Sequence, residues 1–211
     1  MRLTLHTFLT YDGVMQGPGG PDEDRTGGFD QGGWVVPYAG DEFGEIVDSW
    51  FAQAAAILLG RTTYDMMFAY WSQVTDPDNL VATKLNGLPK YVASRTLRDP
   101  EWQHTTVLDA EVVEQVRALK EQPGGELQIH GSCGLARDLH RAGLIDEYRL
   151  ITFPVVLGQG KRLFTEGLPP TAFTVVESRG GSNGISYAVL TPAPITTGGE
   201  YVIVDGKEAI A

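Results

Sequence analysis

Two segments of this 211-residue chain bring together residue types suited to holding an anion. One is Ile57-Leu58-Leu59-Gly60-Arg61-Thr62-Thr63-Tyr64. The other is Leu127-Gln128-Ile129-His130-Gly131-Ser132-Cys133-Gly134-Leu135. In each, an apolar run meets glycine and then a small hydroxyl residue where a helix can begin. The first amides of a helix lack intrahelical partners and lie at the positive end of its dipole, so such a junction can bind phosphate. Glycine lets the backbone approach the ligand closely. The plainer reading is that Thr62 and Ser132 only cap their helices. A third segment, Ser94-Arg95-Thr96, sets an arginine between two hydroxyls just past a strand, a pattern that can grip a phosphate monoester. No Gly-x-Gly-x-x-Gly follows the first strand and no Gly-Lys-Ser/Thr occurs, so neither the Rossmann fingerprint nor a Walker loop is present.

Other residues carry weaker chemical signals. Phe43, Trp50, Tyr64 and Trp71 can line a pocket for a flat ring, although aromatic residues at helical spacing also build cores, and Trp50 reads as core. His130, at a strand end, reads as a packed, hydrogen-bonded histidine. Cys133 stands at a helix start with no partner histidine evident and reads as a small residue. The four histidines are scattered without ligand spacing, so no metal is expected. Cys133 is the only cysteine, which excludes an internal disulfide.

The elements that must position these residues follow from periodicity. Residues 2–9 read as a first strand, and the glycine- and proline-rich stretch 10–40 as a long loop of the kind that serves function. Asp41 is expected to cap a helix through Phe43, Ile46, Val47 and Trp50, spaced i, i+3, i+4, i+7. A short buried strand to Leu59 and a helix of about Thr63 to Ala69 come next. Residues 72–88 read as a polar excursion. Strands are expected at Lys90 to Ala93, Thr105 to Leu108, Leu127 to His130 and Glu147 to Val156. Helices are expected at Glu111 to Glu121 and at about Leu135 to Ala142. Ala172 to Ser178 and Ile185 to Thr191 read as an antiparallel pair. Strands alternating with helices, closed by a hairpin, predict an α/β domain over 1–191 with a mainly parallel, mixed sheet. The tail 192–211 is expected to add one strand, Tyr201 to Val204.

Composition narrows the class. With 42% hydrophobic and 20% charged residues, the chain is globular in character. Sixteen Lys+Arg against 27 Asp+Glu give a net charge of −11, which argues against nucleic-acid binding driven by the phosphate backbone. The apolar runs are too short to span a bilayer, and the N-terminus has no signal-peptide pattern, so a cytoplasmic protein without membrane partners is expected.

An ordered set of motifs carries a resemblance. Phe8-Leu9-Thr10-Tyr11-Asp12-Gly13-Val14 is followed by Leu58 to Tyr64, Lys90-Tyr91-Val92-Ala93-Ser94-Arg95-Thr96-Leu97, His130 to Leu135, Gly143-Leu144-Ile145-Asp146-Glu147 and Pro154 to Phe164. Over roughly residues 2–191 the chain resembles the dihydrofolate-reductase-like superfamily. Within it, the closer likeness is to the C-terminal reductase domain of the bifunctional riboflavin-biosynthesis deaminase-reductase. The resemblance implies a three-layer fold with an eight-stranded mixed sheet, and NADPH as cofactor. It implies that Gly60, Arg61 and Thr62 lie against the cofactor phosphates and that Ser94, Arg95 and Thr96 hold the 2′-phosphate. Gly131, Ser132, Cys133, Gly134 and Leu135 would wrap the pyrophosphate, with Val14 and Met15 near the nicotinamide.

The same resemblance implies reduction of a small heteroaromatic or carbonyl substrate. Its family-level label is 5-amino-6-(5-phosphoribosylamino)uracil reduction, with dihydrofolate reduction or a non-catalytic NADP-binding role as alternatives. Asp12 and Asp41 are the candidate proton donors, and Phe43, Tyr64 and Thr152 the candidate substrate contacts. A homodimer is expected. Two departures stand out. The Asp-Asp-Pro of the riboflavin reductases is replaced by Thr62-Thr63-Tyr64-Asp65-Met66-Met67. The acid that follows Trp-x-x-Pro in folate reductases is absent, since two residues beyond Trp34-Val35-Val36-Pro37 comes Ala39.

Overall fold

The computed structural model describes all residues except 182, 197 and 211. Its centre is an eight-stranded sheet of order β4-β3-β2-β5-β1-β6-β8-β7. The strands are β1 (Arg2–Thr10), β2 (Ala54–Gly60), β3 (Lys90–Ala93), β4 (Thr105–Leu108), β5 (Glu126–His130), β6 (Glu147–Phe153), β7 (Ala172–Gly180) and β8 (Ser186–Ala193). The first six run parallel, and β8 pairs antiparallel with both β6 and β7. The central strands are buried along nearly their whole length, as sheets covered on both faces are.

Period-2 alternation sends neighbouring residues to opposite faces. Leu3, Leu5, Leu58, Leu127 and Ile129 pack with α4 (Val112–Lys120) and α5 (Cys133–Arg141), through Val116, Leu119, Leu135 and Leu139. The other face packs on α1 (Asp41–Gln53), α2 (Arg61–Trp71) and α3 (Leu80–Gly87).

Four details differ from expectation. Gly40 occupies the N-cap of α1, so Asp41 is its first helical residue rather than its cap. The helices after both glycine junctions start about two residues early, at Arg61 and Cys133. The stretch 72–88 holds α3, opened by Asn79, whose side chain accepts from the Ala82 amide at 2.9 Å. Finally, β9 (Tyr201–Val204) does not join the main sheet but pairs with β10 (Lys207–Ile210) in a separate hairpin.

Candidate functional site

Because β1, β2, β3, β5 and β6 are parallel, their C-terminal ends open on one edge of the sheet, where ligands of open α/β sheets collect. β2 and β5 are neighbours with Leu58 opposite Ile129, so the two glycine junctions lie side by side. They are also cross-tied. The Thr63 hydroxyl lies 2.7 Å from the Ser132 hydroxyl and accepts from the Ser132 amide at 3.1 Å. A Cβ on Gly60 would fall 2.2 Å from Ser132 Oγ, so only glycine fits there. Gly131 has φ +76° and Ser132 φ +52°. Left-handed backbone at a non-glycine residue is costly and persists where the surroundings enforce it.

This tie occupies Ser132 Oγ, and neither α2 nor α5 has a side-chain cap. The first-turn amides of both helices therefore look to something other than a cap for a partner. Gly134 is exposed beside them, while Cys133 and Leu135 are buried and offer this edge only backbone. The Cys133 thiol donates to the Arg162 carbonyl, and burial pushes its pKa up, so it is packed rather than reactive. Arg61 pairs with Asp65 at 2.7 Å, and Thr62 is exposed.

One strand over, Ser94 is buried at the end of β3. Its hydroxyl accepts from the amides of Thr96 and Leu97 at 3.2 and 3.0 Å, folding a tight turn. Arg95 and Thr96 are exposed on that turn. Arg95 makes no ion pair or hydrogen bond among the described residues.

The loop after β1 is anchored, not loose. The Thr10 hydroxyl accepts from the Val14 amide, Val14 bridges antiparallel to Arg162, and the Met15 amide donates to Lys161. Val14 and Met15 are buried. Asp12 closes the anchor: it accepts from the Thr10 hydroxyl (2.6 Å), the Leu157 and Gly158 amides (3.2 and 2.8 Å) and the Arg162 guanidinium (3.0 Å). Desolvation works to raise its pKa, but these four donors prevail and hold it at about 2. A carboxylate so saturated is a structural anchor, and its geometry does not suit the proton-donor role expected of Asp12. Arg162 is the partner that sequence reasoning missed. It lies 150 residues away, inside the Pro154 to Phe164 motif, with no local signal tying it to Asp12.

One further expectation changes. Tyr64 is 3% exposed, its hydroxyl accepts from the Trp102 amide at 3.1 Å, and its ring stacks on Phe68. Lying on the sheet-facing side of α2, it belongs to the core rather than to a substrate surface. Asp41 is exposed on the first turn of α1 and makes no ion pair or side-chain hydrogen bond among the described residues. Phe43 is half-buried against Phe8 and Phe153, with ring centroids 5.2 and 5.9 Å away. Thr152 is half-buried on β6, opposite Leu9 and Ser186. His130 is buried: its Nε2 lies 2.9 Å from Gln128 Oε1, its ring stacks on Phe51, and desolvation lowers its pKa to about 3. Among the described residues no cluster of three or more His, Cys, Asp or Glu could hold a metal, and no helix is long and apolar enough to cross a membrane.

Comparison with known proteins agrees with this layout. The family model for the RibD C-terminal domain matches residues 2–187, so the chain belongs to that family, a group of reductase-like proteins of riboflavin biosynthesis. Among particular relatives, it is 30% identical over 194 residues to the uncharacterized protein YyaP of Bacillus subtilis, covering 89% of this chain and 93% of that one. A putative riboflavin biosynthesis protein from Shewanella sp. PV-4 shares the fold with a TM-score of 0.65 at 18% identity, over 92% of this chain and all of that one. RibD of Acinetobacter baumannii superimposes with a TM-score of 0.61 at 16% identity. The match covers 91% of this chain but only 58% of RibD.

Proposed function

We propose that the protein is an NADPH-dependent reductase of a small heteroaromatic or carbonyl substrate. The observation that carries this reading is the exposed Arg95 guanidinium on the β3 turn, unpaired among the described residues, beside two adjoining helix N-termini without side-chain caps. Together they suit a ligand with a pyrophosphate and a separate phosphate monoester. The amides opening α2 and α5 would take the pyrophosphate, while Ser94, Arg95 and Thr96 would hold the 2′-phosphate and prefer NADPH to NADH. NADPH, when bound, supplies the hydride. The chain's own part is to fix the ring against the anchored loop of Val14 and Met15 and to exclude water there. Asp12 holds that loop as an anion. With Asp12 saturated and Tyr64 in the core, the single proton that accompanies the hydride is assigned to ordered water at the Phe43 and Thr152 end.

Titration of the purified protein with NADPH and NADH, read by thermal shift, tests this directly, since a ligand of the native state raises the melting temperature with concentration. NADPH is expected to stabilise more than NADH. Arg95→Ala should weaken NADPH by about tenfold or more, the worth of one charge-assisted contact, and leave NADH unchanged. No shift with either nucleotide would sink the proposal. Binding without oxidation of NADPH by any pterin, pyrimidine or quinone would favour a non-catalytic NADP-binding module.

A further inference from the structure

The two ends of the site differ sharply in charge. At the β3 end Arg95 makes no ion pair or hydrogen bond among the described residues. The other end is bordered by the loop 10–40, the start of α1, the end of β6 with the segment after it, and the β7–β8 turn. The turn touches α1 and the residues just before it: Asn183 Nδ2 donates to the Tyr38 carbonyl at 2.8 Å, and a Cβ on Gly181 would lie 2.8 Å from Glu42 Oε2 on α1. Four cations occur along these segments, and each already faces a carboxylate. Arg25 pairs with Asp22 at 2.7 Å, Lys161 with Asp24 at 2.5 Å, Arg162 with Asp12 at 3.0 Å and Arg179 with Glu177 at 3.2 Å.

The helix at this end makes the contrast stronger. α1 carries Asp41, Glu42, Glu45 and Asp48 and no lysine or arginine. Acids in the first turn offset the positive end of the helix dipole, which would otherwise attract an anion. Meanwhile the surface here is aromatic. Phe8, Tyr38 and Phe43 are all half-buried around Phe153, with centroids 5.7 to 5.9 Å from its ring. A phosphate placed here would meet like charge and, among the described residues of these segments, no unpaired cation, at a cost that falls only as salt screens it. A flat uncharged ring meets the opposite case, because it buries apolar surface against aromatic faces.

We infer that the substrate end of this sheet edge takes an uncharged planar ring bearing no phosphate. This sets the chain apart from a structural neighbour from Thermotoga maritima, at 14% identity, whose name includes 5-amino-6-(5-phosphoribosylamino)uracil reductase. The inference rests on the NADPH reading. In the balanced step the ring gains a hydride, given up by NADPH, and one proton from water, so it is reduced by two electrons while NADP⁺ is the other product.

Riboflavin and its 5′-phosphate, FMN, share one planar ring and differ by a single phosphate, which makes them a matched probe pair. Quenching of their fluorescence is titrated on the full chain saturated with NADP⁺. Saturation is first established by the nucleotide's own thermal shift, so failure at that stage falls on the NADPH reading alone. Riboflavin is expected to bind at least tenfold tighter than FMN. The double variant Asp41→Asn, Glu45→Gln removes two exposed charges from α1, and it should tighten FMN severalfold and so narrow the gap. FMN binding as tightly as riboflavin, or neither flavin binding, would overturn the inference, as would a gap that the double variant leaves unchanged.

Discussion

Asp12 shows how an acid can stand near a site and still not be its acid. Four donors converge on one carboxylate, and each favours the charged form. Its folded pKa of about 2 lies below the ordinary aspartate value of 3.8. A depressed carboxylate contributes stability that is complete above the unfolded value and lost as pH falls through the folded one. Asp12→Asn should therefore cost about 2 kcal/mol at neutral pH, as charge-assisted bonds of this kind do. The variant's stability should also fall less steeply than the parent's between pH 4 and pH 2. Chemical denaturation at a series of pH values checks both. A parallel acid limb in the two proteins would mean that the carboxylate is not what holds the loop.

At the scale of elements, the site is a pair of strand–helix junctions pressed together, and the glycines within them are not equivalent. Gly60 packs directly on Ser132. Gly60→Ala drives a methyl into that contact, so it should destabilise the fold by roughly 1–3 kcal/mol and abolish NADPH binding by parting the junctions. A Cβ on Gly134 would meet nothing within 4 Å, and its φ is not positive. Gly134→Ala should therefore stabilise α5 by up to about 1 kcal/mol. Thermal melts with and without NADPH separate the two, and equal behaviour would refute the packing argument.

These junctions were legible in the sequence because an apolar run, a glycine and a hydroxyl are local signals, as is the Phe43, Ile46, Val47, Trp50 stripe of α1. The helix α3 was not. It has eight residues, and its buried stripe of Val81, Ala82 and Leu85 spans little more than one turn inside a polar stretch, too short a pattern to stand out beside the Asn79 cap. The fate of Tyr64 was hidden too, because the Trp102 amide that meets its hydroxyl lies 38 residues on. The hydrophobic pattern set which face of a helix turns inward. It could not say which buried aromatic residue borders a cleft and which fills the core.

For the molecule as a whole, the loose end is the tail. The hairpin of β9 and β10 turns at Asp205-Gly206, both with positive φ, which is the preferred two-residue hairpin chemistry and the signal that would have revealed β10. It lies outside the eight-stranded sheet, and Tyr201, Ile203 and Ile210 are 76%, 81% and 77% exposed. A lone two-stranded hairpin is marginal in water, and apolar side chains gathered on a surface mark contact sites. Because so little of the tail is buried, a chain ending at Pro194 should melt within about 2 °C of the full chain and keep its NADPH response. If the expected homodimer uses the hairpin, sedimentation should show the truncated chain as a monomer at concentrations where the full chain is a dimer. A large fall in melting temperature would instead mean that the hairpin braces the domain. A truncated chain that still pairs would shift self-association to the outer edge of the sheet, where Val175 and Val176 of β7 are each 60% exposed.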